Sequence, residues 1–356
     1  MRMEDCEIGG NLGAVTAAFT RTEPEVDWVQ ATEAGILPAA LFSLYRRAGF
    51  LSYGSSPRFL SDDKHYLFSY CSMALESIKG TLVDADQELD GFVTAQSAIW
   101  DVGKERRGEP WDDGADRLAK NHFRMLVISL CASLDVVAEL TAVLLTDQIA
   151  GLVVGKAMFQ RIEDWLKKPL PPNMSIIVTP QRIKLEELHQ RLVPIVETTG
   201  PEKDWLPVMK LFRDKAAHLG TVHFREIGFH DKNLRFHRYF PRRWPVLWEE
   251  HMHSSGQEPH PTLESMMSQF MQQDNISYVR SLRAKVTDLV AAAGDVLDSA
   301  FHDFQDFPPN RAALQQLHKN AKVFQFEGFQ QSARPPKSFD SSPETRERVP
   351  APEGVK

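Results

Sequence analysis

Three stretches of this chain repeat apolar residues at alternating steps of three and four, and that spacing limits the fold more than any other feature. Within His65 to Trp100 the series runs Cys71, Leu75, Ile78, Leu82, Ala85, Leu89, Phe92 and Ile99, with polar Gln96 filling one place. A second series runs Phe123, Val127, Leu130, Leu134, Val137, Thr141 and Leu144, and a third runs Val279, Leu282, Val286, Leu289, Ala293, Val296 and Ala300. Such steps put successive residues on one stripe of an α-helix, and stripes this long pack lengthwise at shallow angles. The expected fold is therefore all-α: an antiparallel helical bundle of long heptad-patterned helices, whose seams serve either its own core or a dimer.

Punctuation between the seams sets the organisation. Residues 1–60 are interrupted by Gly, Pro and Ser and are expected to be irregular, with one short helix near Pro38 to Arg47. Residues 61–325 form the expected bundle, and 326–356, rich in Ser, Pro, Arg and Glu, a disordered tail. Within the bundle, Gly151 and Gly155 break the chain before a short helix ending near Lys168. Pro169-Leu170-Pro171-Pro172-Asn173 cannot be helical. Thr179-Pro180 then starts a helix that Pro194 should perturb, and the last long helix is expected over Thr262 to Phe304.

One small β insertion is expected in this helical frame, a hairpin near 221–240. Val222 and Phe224 alternate with polar residues, as do Leu234 and Phe236, and Asp231-Lys232-Asn233 has turn chemistry.

Composition matters mainly for what it excludes. A net charge of -7 over 356 residues rules out a wholly basic nucleic-acid coat, so any RNA contact must be local. Three scattered cysteines, Cys6, Cys71 and Cys131, make neither a disulfide framework nor a zinc site, which points to a reducing, cytoplasmic setting. Acids at Glu4, Asp5 and Glu7 without an apolar core segment argue against a secretory signal. Met125 to Leu145 is long enough to span a bilayer, but Asp135 and Glu139 at its middle favour a buried helix, and no membrane association is expected.

The stretch with most chemical content is Asp204 to Gly220. Asp204 suits a helix cap, the first turn tolerates Pro207, and Gly220 is a natural stop. Near its end stand Arg213, Asp214, Lys215, Ala216, Ala217 and His218. Arg213 and His218 lie about 140° apart around an ideal helix, whereas Asp214 and His218, four apart, share a face. The Arg-to-His spacing of four to six residues occurs six times in the chain, but only Arg213 is followed by Asp, and only there do Ala216 and Ala217 admit a close neighbouring helix.

At these residues the chain resembles the HEPN superfamily, helical bundles whose signature is Arg, commonly followed by Asn, Asp or His, with His four to six residues beyond. Arg124-Met125-Leu126 through Leu134-Asp135-Val136-Val137-Ala138 loosely resembles the Arg- and Leu-Asp-containing helix of several relatives. The resemblance covers residues 65 to 305 in topology and a handful of positions at the motif. It implies an RNA-directed protein, a homodimer in which two motif helices meet, and a metal-independent endoribonuclease of the toxin or phage-defence type. A non-catalytic helical interaction or regulatory module is the alternative, with a regulatory protein as a further partner.

The residues suit that chemistry. Imidazole transfers protons near neutrality and guanidinium binds phosphate oxygens in a fixed fork, so His218 is the expected acid or base and Arg213 the phosphorane's partner. Asp214 would orient His218, and Lys215 would attract phosphate. Thr221 to Pro245 interleaves basic residues with aromatics, so Arg225, Arg235 and Arg238 are candidate RNA contacts. Strand alternation gives the same composition to a half-buried hairpin, and that structural reading is the favoured one. Asp135 and Glu139, four apart, could make an acidic pair or face the motif arginine; more often such residues line the wet edge of a bundle or pair with a basic neighbour. His251, His253 and His260 have no spacing that fixes a metal geometry, so no metal and no cofactor are expected.

Overall fold

The apolar seams form the interior of the protein. In the computed structural model, residues 23–49, 62–105, 113–145, 149, 152–168, 180–198, 204–219, 227–230, 236–240, 271 and 273–304 are described. They are mostly helical, in accord with the all-α expectation. Eight helices appear among them: α1 Glu23–Glu33, α2 Ala39–Gly49, α3 Asp62–Glu105, α4 Asp113–Leu145, α5 Phe159–Leu166, α6 Pro180–Val196, α7 Trp205–Leu219 and α8 Asn275–Phe304. Two short strands, β1 Ile227–His230 and β2 Phe236–Tyr239, lie between α7 and α8.

Every residue of the α4 and α8 seams is buried, and in the α3 seam only Leu89 stays half-buried. Tyr70 meets Glu139 while Glu88 meets His122, so α3 and α4 run side by side in opposite directions. Gly91 makes part of that approach feasible. A Cβ there would sit 2.4 Å from the His122 ring, so the glycine leaves room for the imidazole that pairs with Glu88. The ring of Phe68 packs on Phe301, and Arg283 reaches Asp86, so α8 also runs against α3.

Helix α4 is surrounded, with α3, α5, α6, α7 and α8 all packed on it. That explains its composition. The stretch Gly114–Leu145 is long and apolar enough to cross a membrane, yet 72% of its most apolar window is buried inside the fold. A helix apolar on nearly all sides is what a central core position demands.

Two expectations need correcting. The described part of residues 1–60, 23–49, holds two helices where one was expected, and both belong to the main core: Trp28 of α1 stacks on Tyr45 of α2 at 4.6 Å and donates to Glu76 of α3 at 2.9 Å. The last long helix starts at Asn275 rather than Thr262, because the Asp274 carboxylate accepts the Ser277 N–H at 2.8 Å and caps it there. The first described strand begins at Ile227, beyond Val222 and Phe224, which lie outside the described residues.

The strands pair antiparallel with Ile227 opposite Tyr239 and His230 opposite Phe236, and the residues linking them, 231–235, lie outside the described set. What fastens β2 to the helices is the residue after it. Phe240 is fully buried, 4.4 Å from the ring of Phe123 and within 6.2 Å of those of Phe92, Phe212 and Tyr278. Burying such a ring contributes roughly 2–3 kcal/mol, and the edge and offset geometries add to it. Pro194 falls in the last turn of α6, which ends two residues later at Val196. The proline-rich turn 169–173 and the tail 326–356 lie outside the described residues.

Candidate functional site

Helix α7 carries the motif, and its sequence accounts for its placement. Asp204 precedes the first turn, its carbonyl accepting the Val208 N–H at 3.0 Å, and Pro207 sits where an amide has no helical partner. Trp205, Leu206, Met209 and Phe212 are buried, and the Trp205 indole donates to the Ile195 carbonyl of α6 at 3.1 Å. With these four apolar side chains turned inward, Lys210 and Arg213, one turn apart, lie along the boundary with α4 and α5.

Arg213 lies between two carboxylates. Its Nε and Nη2 both donate to the Asp214 Oδ1, at 2.9 and 2.8 Å, and its Nη1 stands 3.7 Å from the Asp135 Oδ2 on α4. Its side chain is 23% exposed, that of Asp214 53%. Partial burial works against the Arg213 charge, but the hydrogen bond to Asp214, together with the neighbouring Cys131 and Asp135, outweighs burial and holds the guanidinium more firmly protonated than an ordinary arginine. Buried beside them, the Cys131 thiol is pushed up to about 12, chiefly by desolvation and against the pull of Arg213. It is a space-filling thiol, not a nucleophile.

The acidic pair on α4 has a structural task. Asp135 Oδ1 accepts the Phe159 N–H at 2.8 Å, supplying the cap that Met158 lacks at the start of α5. One turn on, Glu139 accepts the Gly155 and Ala157 N–H groups at 2.8 Å each and the Tyr70 hydroxyl at 3.0 Å. Gly155 has a φ of +80°, so the loop turns where a side chain would be strained. Of the roles open to Asp135 in the sequence, facing the motif arginine is the one the fold adopts.

A second clamp escaped the sequence reading. Glu163 on α5 is 3% exposed and bonds Lys167 at 2.7 Å and Lys210 at 2.8 Å, tying α5 to α7 one turn before Arg213. Burial raises its pKa, but the two lysine hydrogen bonds outweigh that and hold the carboxyl below its usual range. The i,i+4 spacing of Glu163 and Lys167 was a visible signal; the link to Lys210 had none. Around the helix, Asp135, Asp214 and Glu163 thus balance Arg213, Lys210 and Lys167.

The remaining sequence candidates divide. Asp214, expected to orient His218, gives its Oδ1 to Arg213; the His218 side chain, on which that expectation turns, lies outside the described set. Arg238, a candidate RNA contact in a hairpin for which the structural reading was favoured, is 11% exposed and bonds Asp116 at 2.5 Å, which pins β2 onto α4. Asp116 also takes Lys120, and although burial raises its pKa, the two cations hold it below the usual carboxylate range. His218 and Lys215 lie on α7 by backbone, with side chains outside the described set, as Arg225 and Arg235 are altogether. His251, His253 and His260 also lie outside it, and no group of three or more metal-binding side chains occurs among the described residues. Comparison of the chain with protein-family models, curated proteins and solved structures returns no match.

Proposed function

We propose that this chain is a HEPN-like antiparallel helical bundle with a β-hairpin insertion, directed at RNA, in which the end of α7 carries the chemistry. Supporting this reading is one observation: the Arg213 guanidinium is held on the helix that carries His218, anchored from α4 yet reachable from solvent. On this reading the 2′-oxygen of a ribose attacks the adjacent phosphorus while the bond to the 5′-oxygen breaks. His218 takes the 2′ proton or returns one to the leaving 5′-oxygen, and Arg213 stabilises the charge on the phosphorus oxygens. The products are a cyclic 2′,3′-phosphate and a free 5′-hydroxyl. Two proton tasks and one imidazole per chain make a homodimer the natural unit, with the motif helices facing across its axis. A toxin or phage-defence role accords with such chemistry.

The test is incubation of the purified chain with labelled RNA in EDTA, beside His218→Ala. Cleavage to cyclic-phosphate ends that disappears in the variant is the expected result. Cleavage that needs a metal, or that survives the substitution, would remove His218 from the mechanism. The alternative, a non-catalytic interaction or regulatory module, has its own support, because every cation described at the site already has a carboxylate partner. RNA left intact by a dimeric, well-folded protein would favour it.

A further inference from the structure

Guanidinium offers two edges to an oxyanion, and in this protein one is hydrogen-bonded while the other faces a carboxylate at ion-pair distance. The Nε/Nη2 edge is on Asp214 and Nη1 faces Asp135. The two carboxylates are not equivalent. Asp135 is fixed from another helix and spends its second oxygen on the first amide of α5, so releasing it would uncap that helix. Asp214 is the next residue along α7, about 100° further round the axis, and meets Arg213 only because the long side chain folds back to it. It is also more than half exposed, so water can solvate it once the pair opens. Its pairing is second-best for the fork: one oxygen, Oδ1, takes both donors, where a group with two oxygens at phosphate spacing would give two parallel bonds.

From this asymmetry we propose that Asp214 is an internal placeholder for a phosphate group: the carboxylate occupies the Nε/Nη2 edge of Arg213 until a phosphodiester exchanges for it, while Asp135 keeps the guanidinium aimed. The placeholder makes the resting site electrically neutral and sets a threshold against stray anions. The inference rests on the RNA reading only for the identity of the ligand, since the exchange itself requires only a phosphate with two free oxygens.

The experiment titrates a short fluorescent single-stranded RNA and, separately, inorganic tripolyphosphate into the full chain, its Asp214→Asn and Arg213→Gln variants and the double variant. Thermal melting serves as the fold control. Asp214→Asn is expected to bind both ligands roughly three- to ten-fold more tightly, since it removes a partly exposed, charge-assisted competitor. That gain should vanish when Arg213→Gln is added. Unchanged or weaker binding of both ligands by Asp214→Asn would overturn the proposal, and so would a gain that persists without Arg213, which would mean only bulk charge. A gain for tripolyphosphate without one for RNA would uphold the placeholder and defeat the RNA reading.

Discussion

Replacing Glu163 by Gln tests whether charge holds the motif helix in place. Glu163 is 3% exposed and serves two lysines, Lys167 and Lys210. Breaking a buried ion pair from one side costs about 3–5 kcal/mol, because the orphaned charge stays in a poor solvent. Two features reduce that here. Lys167 is 56% exposed and can return to water, and glutamine keeps one acceptor oxygen for Lys210, which is 17% exposed. The expected loss is therefore about 2–3 kcal/mol, or a melting temperature lower by roughly 4–8 °C. Urea unfolding followed by tryptophan fluorescence is well placed to measure it, with Trp165 on α5 and Trp205 on α7. The pH dependence gives an independent check. The native pKa of Glu163 is depressed, so its contribution is complete above the unfolded value of about 4.3 and is lost as pH falls through the native one. Glu163→Gln should flatten that acid limb, and adding Lys210→Met should recover part of the loss by removing the stranded charge. A Glu163→Gln variant within about 0.5 kcal/mol of the parent would refute the clamp.

Phe240→Ala should cost about 3–5 kcal/mol in chemical denaturation, since the vacated volume is enclosed by four other rings that cannot all collapse into it. Arg238→Gln should lower stability by about 1–3 kcal/mol while leaving RNA affinity and its salt slope unchanged, because the guanidinium is spent on Asp116; a reduced salt slope would restore it as a phosphate contact. Cys71 and Cys131, both buried and with pKa pushed up to about 12, should resist iodoacetamide at pH 8 in the native protein and react on unfolding; labelling of either in the folded chain, seen by mass spectrometry, would show that its helix opens.

The seams of α3, α4 and α8 were legible because burial along a helix repeats with the helix itself, and nothing local competes with that signal. Helix α1 was not, since Glu23–Glu33 has one large apolar anchor, Trp28, and owes its place to Tyr45 and Glu76 from other helices. The N-terminus of α8 was overshot because a cap outranks composition: Asp274 stops the helix where Thr262 to Gln273 could have extended it. At the motif, spacing identified Arg213 and permitted Asp135 as its neighbour. It gave no sign that Asp214 also meets Arg213, because spacing rules follow the backbone and an arginine is long enough to fold back on an adjacent residue. For Arg238 the sequence favoured a structural place without showing what it would hold. Sequence shows a charge but not its partner, and Asp116 lies 122 residues away.

The ring cluster around Phe240 also bears on how the chain is made. Its members come from α3, α4, α7, the end of β2 and α8, so a nascent polypeptide stopped before Tyr278 holds most of the rings without the last one that closes over them. Synthesis runs from the N-terminus, and contacts this distant in sequence form late. Helices α3 and α4 can pair as soon as both have emerged, but their aromatic end lacks its closing ring until α8 arrives.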